Sequence, residues 1–290
     1  MRFLIATYAW FLATLPEAFA RANAWGFSWA LWGLRRKIIT RNLAASFPEK
    51  DAAWVRRIGQ LSCRRTAEMG LYAIASPQLS EAEVRARIQL HPETLTGPHT
   101  VLSSNGVVLF VPHFSLMEMM SAVKLLDADL GRREWVTLYR PLDLAAAEVW
   151  VKASRERFGM RLVSRRDGFG QTMQAVRSGQ IAVILFDQST HLGAQMEFLG
   201  RPVATTELPG IIAQRFKATA RIFWSERTGF WRCQLRSHAL SATDSVGLTL
   251  ESNAWLAAQL RSSDDACADW LWAHDRWKYG QSPGIKPLQS

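Results

Sequence analysis

Five short apolar runs rich in β-branched residues mark the middle of the chain: 107–111 (VVLFV), 135–139, 161–164, 181–186 (IAVILF) and 220–224. Runs of about four to eight such residues bounded by turn formers read as buried strands. Between them, residues 116–126, 143–158, 169–177 and 207–217 carry apolar positions at helical spacing. Strands alternating with helices predict an α/β fold, with a central, mostly parallel β-sheet flanked by helices on both faces.

Residues 50–90 read as a helical lead-in and 248–278 as a Trp-rich helical tail. The clearest loop is 91–100 (HPETLTGPHT), broken by Pro92, Gly97 and Pro98. At the N-terminus, 3–20 is apolar apart from Glu17 and is interrupted by Pro16; Arg21 and a second apolar stretch, 24–34, follow. A full membrane span needs about 20 apolar residues. The short motif AFA at 18–20 has the look of a signal-peptide cleavage site, but the chain beyond it argues against cleavage.

Charge sharpens that picture. Between Arg35 and Arg65 stand nine basic residues against Glu49 and Asp51, most of the formal +10 of the 290-residue chain. Basic residues directly after an apolar segment stay on the cytoplasmic side and attract anionic headgroups. Residues 1–34 are therefore expected to be an N-terminal membrane-associated segment, an anchor or interfacial helix. Residues 35–290 are expected to be one catalytic domain, with 35–95 its basic lead-in. A buried N-terminal helix followed by a solvated basic helix is the alternative. The three cysteines are far apart and fit a reducing compartment rather than a disulfide framework or zinc site.

The chemistry gathers at the end of the first strand, where VVLFVPHFSLMEMM sets His113 just past a Pro stop and Glu118 five residues on. Open α/β sheets hold ligands at the carboxyl ends of their strands. A histidine there suits a general base at neutral pH, and a carboxylate can orient its ring. A competing account makes Ser115 and Glu118 a capping box at a helix start. No G-x-S-x-G elbow and no nucleophilic cysteine context is present. Met117, Met119 and Met120 could line an apolar pocket, although Met at helical spacing also suits a core. His91, His99, His191, His238 and His274 show no metal-ligand spacing, so no metal is expected. Gly168 and Gly170 open like a dinucleotide fingerprint, but Met173 stands where its third glycine belongs.

On these residues the chain resembles the lysophospholipid acyltransferase superfamily, and within it the bacterial lipid A late acyltransferases, whose hallmark is His followed five residues on by Asp or Glu. Further blocks extend the resemblance in order: RRKIITRNLAASFPE (35–49), LYRPLD (138–143), FGMRLVSRRDG (158–168), LFDQST (185–190), FLGRPVATTELPGIIA (198–213) and WLWAHDRWK (270–278). The chain departs from the family pattern beside the hallmark. Pro112 replaces the usual Gly, and Ser115-Leu116-Met117 replaces Gly-Asn-Trp.

The resemblance implies a glycerolipid acyltransferase-like fold and an enzyme of lipid A biosynthesis on the cytoplasmic face of the bacterial inner membrane. His113 would take the proton of an acceptor hydroxyl, Glu118 would orient it, and the hydroxyl would attack the thioester of an acyl-acyl carrier protein without an acyl-enzyme. Backbone N–H groups at the Ser115 helix start would receive the oxyanion. Arg140 would bind phosphate of the acceptor or of the carrier's arm, with Arg165 extending the patch; Asp187, Gln188 and Gly200 complete the expected substrate site. No cofactor is implied. The expected partners are an acidic acyl carrier protein, an anionic glycolipid acceptor of the Kdo-lipid IVA type and the membrane surface. Nucleic acid is not among them, because the basic residues cluster behind an apolar N-terminus instead of interleaving with exposed aromatics. The rival readings are a same-fold acyltransferase acting on a lysophospholipid or aminolipid, and a non-catalytic basic module binding membrane or nucleic acid.

Overall fold

The computed structural model describes residues 2–95, 100–103, 105–165, 168–191 and 193–279. Gly97, Pro98 and His99 of the expected loop, and residues 166–167 within the block 158–168, lie outside these residues.

Two helices open the chain, α1 (Arg2–Thr14) and α2 (Glu17–Ser46). Pro16 lacks an N–H and sits extended between them, with φ −51° and ψ 144°. The break divides the apolar N-terminus in two, and the second stretch continues inside α2 straight into the basic residues 35–37. Among the described residues no helix is long and apolar enough to cross a membrane. Helix α1 has only 13 residues. Helix α3 (Ala52–Ala75) starts at Asp51, whose side chain accepts the Trp54 N–H at 2.7 Å, and packs along α2. A Cβ on Gly59 would come within 2.8 Å of both Ile39 and Trp32, so glycine sets how closely these helices approach.

After α4 (Glu81–Arg85) and β1 (Ile88–Leu90), the body runs through β2 (Val107–Val111), a 3-10 segment (Met117–Leu125), α5 (Ala128–Arg132), β3 (Trp135–Tyr139), α6 (Ala145–Glu156), β4 (Met160–Ser164), α7 (Phe169–Arg177) and β5 (Ile181–Leu185). A hairpin, β6 (Ala194–Phe198) with β7 (Arg201–Thr205), then leads to α8 (Leu208–Phe216), β8 (Thr219–Gly229), β9 (Arg232–Ala239), α9 (Ser245–Ser262) and α10 (Asp264–Asp269). Seven strands form one sheet in the order β1-β9-β8-β2-β5-β3-β4, parallel throughout except for the β8–β9 pair.

All five residues of the central strand β2 are buried, and alternate ones serve different cores. Val107, Leu109 and Val111 join Trp135, Val183, Phe223 and the 3-10 segment. Val108 and Phe110 face the opposite way, toward Ile212, Leu256, Trp270 and Trp272. Burial on both faces is why these strands appear in the sequence as unbroken apolar runs.

Three expectations need correction. Residues 116–126 form 3-10 rather than α-helix, entered through Leu116 in the left-handed region at φ 60°. The tail is helical only to Asp269; beyond it the chain is irregular, and its tryptophans are packing wedges rather than one face of a helix. Strands β1, β6, β7 and β9 fall where no strand is expected, although buried Cys233, Leu235 and Ser237 alternate along β9.

Candidate active site

Parallel pairing aligns Val111 with Leu185, so the residues two places beyond each strand, His113 and Asp187, leave the sheet side by side. The His113 backbone N–H donates to Asp187 Oδ2 at 2.8 Å, and ring Nδ1 lies 2.5 Å from Oδ1. The Trp270 indole N–H donates to the same Oδ2 at 2.7 Å. Burial alone would raise the Asp187 carboxyl, but the imidazole, aided by buried Arg276, holds it down at about 2. An ionised Asp187 assigns the ring proton to Nδ1 and leaves the lone pair on Nε2. That lone pair accepts from the amide of exposed Gln188 at 2.8 Å.

Glu118 does not bond His113, contrary to expectation. The left-handed turn at Leu116 sends the following segment toward α6, where Arg155 Nε and Nη2 grip the two carboxylate oxygens at 2.8 and 2.5 Å. Burial would raise Glu118, but Arg155 outweighs it and, together with the nearby His113, holds the carboxyl below its ordinary range. The capping box is also absent. Ser115 Oγ donates 2.7 Å to Asp269 Oδ1, and the Ser115 N–H, expected to receive an oxyanion, is spent on the Asp269 carbonyl at 2.7 Å.

An apolar cavity with about 550 Å³ of empty space, counting the part open to solvent, is lined by Val111 and Leu185, two residues before His113 and Asp187, though not by that pair itself. Glu118 and Arg155 stand in its wall; Val111, Leu185, Thr137, Leu162, Trp135 and Phe223 continue it down one face of the sheet. Met117 and Met120 also line it, whereas Met119 is core. Arg140 and Arg165, at the ends of β3 and β4, line a second, polar cavity together with Asp143, which lies 3.5 Å from Arg140. Gly200, with φ 73°, forms the two-residue turn of the β6–β7 hairpin with Leu199, and open space surrounds the place of its missing Cβ. Its geometry suits the turn.

Sequence reasoning did not single out Arg155, Trp270 or Asp269. Arg155 carries no motif of its own, and Trp270 and Asp269 meet the site only through tertiary packing. His274, considered only as a metal ligand, accepts the Ser189 N–H at 3.0 Å and so holds the loop bearing Gln188. Burial, then the nearby His113, lowers its pKa and favours this neutral acceptor.

A mostly parallel sheet presents a histidine whose ring bonds a buried carboxylate, with an apolar cavity reached from the same strand ends, an arrangement capable of general-base chemistry. The chain matches the bacterial lipid A biosynthesis acyltransferases over residues 1–279; it belongs to that family and is an acyltransferase. No curated protein matches the chain.

Proposed function

We propose that the enzyme moves a fatty acyl chain from acyl-acyl carrier protein to a hydroxyl of a lipid A precursor of the Kdo-lipid IVA type, with His113 as general base. The observation that carries this reading is the His113 ring, its Nδ1 proton committed to Asp187 and its Nε2 directed to exposed Gln188. In the Michaelis complex the acceptor hydroxyl takes the place of the Gln188 amide. Nε2 removes the hydroxyl proton as the oxygen attacks the thioester carbonyl carbon. The tetrahedral intermediate collapses with cleavage of the C–S bond, and the imidazolium returns the proton to the leaving sulfur. Asp187 orients the ring and stabilises the imidazolium. The displaced Gln188 amide is a donor for the oxyanion. Glu118 serves indirectly by pinning Arg155 in the wall of the cavity that takes the acyl chain.

Arg140 and Arg165 bind phosphate of the acceptor or of the carrier's phosphopantetheine arm, since the guanidinium fork fits phosphate. Strand spacing puts the β3 and β4 ends about 10 and 14 Å from that of β2, a reach suited to a large glycolipid. The excess of basic residues suits an acidic carrier protein. Exposed Trp10, Trp25, Phe27, Trp29 and Leu34, beside exposed Arg35, Arg36 and Lys37, support attachment to the cytoplasmic face of the inner membrane.

Mass spectrometry of products tests the reading, with wild type and His113→Ala given acyl-acyl carrier protein or coenzyme A thioesters and a panel of acceptors. Addition of one acyl chain to the lipid A precursor, from the carrier-bound donor and by wild type only, is the expected result. Acylation of a lysophospholipid or aminolipid alone would replace the acceptor. Undiminished transfer by His113→Ala would overturn the base.

A further inference from the structure

We propose that Trp270 and Arg276, from the segment that closes over the sheet, are positioning residues for the His113–Asp187 pair; this rests on His113 being the base. Asp187 Oδ2 receives two donors, the His113 backbone N–H and the Trp270 indole N–H, so the carboxylate cannot rotate away from the ring. The same segment holds the other side of the histidine, with the Leu271 N–H donating to the His113 carbonyl at 3.2 Å and Trp270 bridging to Phe114. Two residues 74 positions apart are thereby locked through one tryptophan.

Behind Trp270 lies Arg276, with 0% of its surface exposed. Its guanidinium carbon sits 3.9 Å over the Phe198 ring and 5.9 Å from the Trp270 ring. Nη2 donates to Asn253 Oδ1, while buried Nε and Nη1 have no partner. A buried cation without a carboxylate against it is costly, and a packing role alone would be met by an apolar side chain of similar size. Burial brings Arg276 down to about 10, which still leaves it cationic at neutral pH, and the charge it acts on is that of Asp187. Held behind the indole, it favours an ionised Asp187.

The other charged or titratable groups around the pair are His274 and Asp275 on the same segment, Glu118 with Arg155 on the opposite side, and Asp269 with Arg65 beyond Ser115. Arg276 also acts on His274, so the shift is assigned with Trp270→Phe, which leaves every one of these charges in place. Loss of the Arg276 charge moves the acidic limb of the rate profile to higher pH. Loss of the indole N–H leaves Asp187 more basic and moves the limb in the same direction.

The test measures pH profiles of kcat and kcat/KM for the full chain with acyl-acyl carrier protein and Kdo-lipid IVA, in wild type, Trp270→Phe, Arg276→Met, Arg276→Lys and His113→Ala, alongside thermal unfolding. The expected results are a tenfold to hundredfold lower kcat for Trp270→Phe with KM little changed, about the worth of one hydrogen bond to a charged group. The acidic limb should rise by roughly half a unit or more in Trp270→Phe and Arg276→Met, and return toward wild type in Arg276→Lys. Losses that follow only the fall in melting temperature, with the limb unmoved and Lys no better than Met, would overturn the proposal while an inactive His113→Ala left the base intact. If Arg276→Met does not fold, the limb in Trp270→Phe and Arg276→Lys decides the same question. Full activity in His113→Ala would instead remove the reading on which the proposal stands.

Discussion

At the scale of single residues, the site turns on which carboxylate meets the imidazole. Glu118 is five positions from His113 in sequence, yet its oxygens are taken by Arg155; Asp187, 74 positions away, takes Nδ1. Exchange of Asp187 for Asn should let the ring adopt the wrong tautomer and lower kcat by about 10³ to 10⁴-fold with a smaller change in KM, read by steady-state kinetics. Asp187 also makes stability depend on acid. Its folded pKa of about 2 lies below the ordinary value, so its contribution is complete above pH ~4 and is lost as pH falls toward 2. Denaturant unfolding between these pH values should show wild type losing on the order of 2 kcal/mol more than Asp187→Asn. The motif made His113 and Glu118 visible, while the Glu118–Arg155 pair stayed hidden because no local pattern ties a 3-10 segment to the last turn of α6.

At the scale of elements, strand register shapes the cavity. Tyr139, Thr137 and Trp135 share one face of β3, and Thr137 and Trp135 stand beside Leu162 and Met160 of β4. Four residues along a strand span about 13 Å, so the wall descends from the catalytic edge to the Trp135 indole, which packs at 5.9 Å against Phe223. Trp135 is the lining residue of β3 farthest from that edge. Trp135→Leu should deepen the cavity and move the transferred chain about two to four carbons longer, while Leu162→Phe, higher on the wall, should shorten it. Mass spectrometry of products from a mixed-length donor pool reads both shifts, and unchanged chain length in both variants would remove the cavity from acyl selection. The five strands of the apolar runs were legible because both of their faces are buried. The hairpin β6–β7 was not, because its buried residues, Ala194 and Phe198 on one strand and Val203, Ala204 and Thr205 on the other, do not alternate with exposed ones, and its turn depends on left-handed Leu199 as well as Gly200.

At the scale of the whole molecule, α1 and α2 present aromatic side chains to the outside, with Phe3, Trp10, Trp25, Phe27 and Trp29 about half exposed or more. Such a face next to a basic run suits an anionic bilayer surface, with about 1 kcal/mol for each basic residue near it. Replacing Arg35, Arg36 and Lys37 by Gln should therefore weaken binding to phosphatidylglycerol vesicles about a hundredfold at moderate salt. Cosedimentation measures this, and retention of full affinity, together with indifference to salt, would rule out an electrostatic surface contact.

The sequence by itself determined the alternation of strands and helices, the histidine at a strand end and the concentration of positive charge behind an apolar N-terminus. These are local properties, set by side-chain periodicity, Pro and Gly positions and charge order along a few residues. Only the tertiary structure decided that His113 meets Asp187, that Glu118 meets Arg155, and that the C-terminal tryptophans close over the pair. Parallel pairing of β2 with β5 places His113 and Asp187 at matched ends, and packing against that edge bends the tail out of helix at Trp270. Such partnerships depend on distances in space between residues remote in the chain, and no spacing along the chain encodes them.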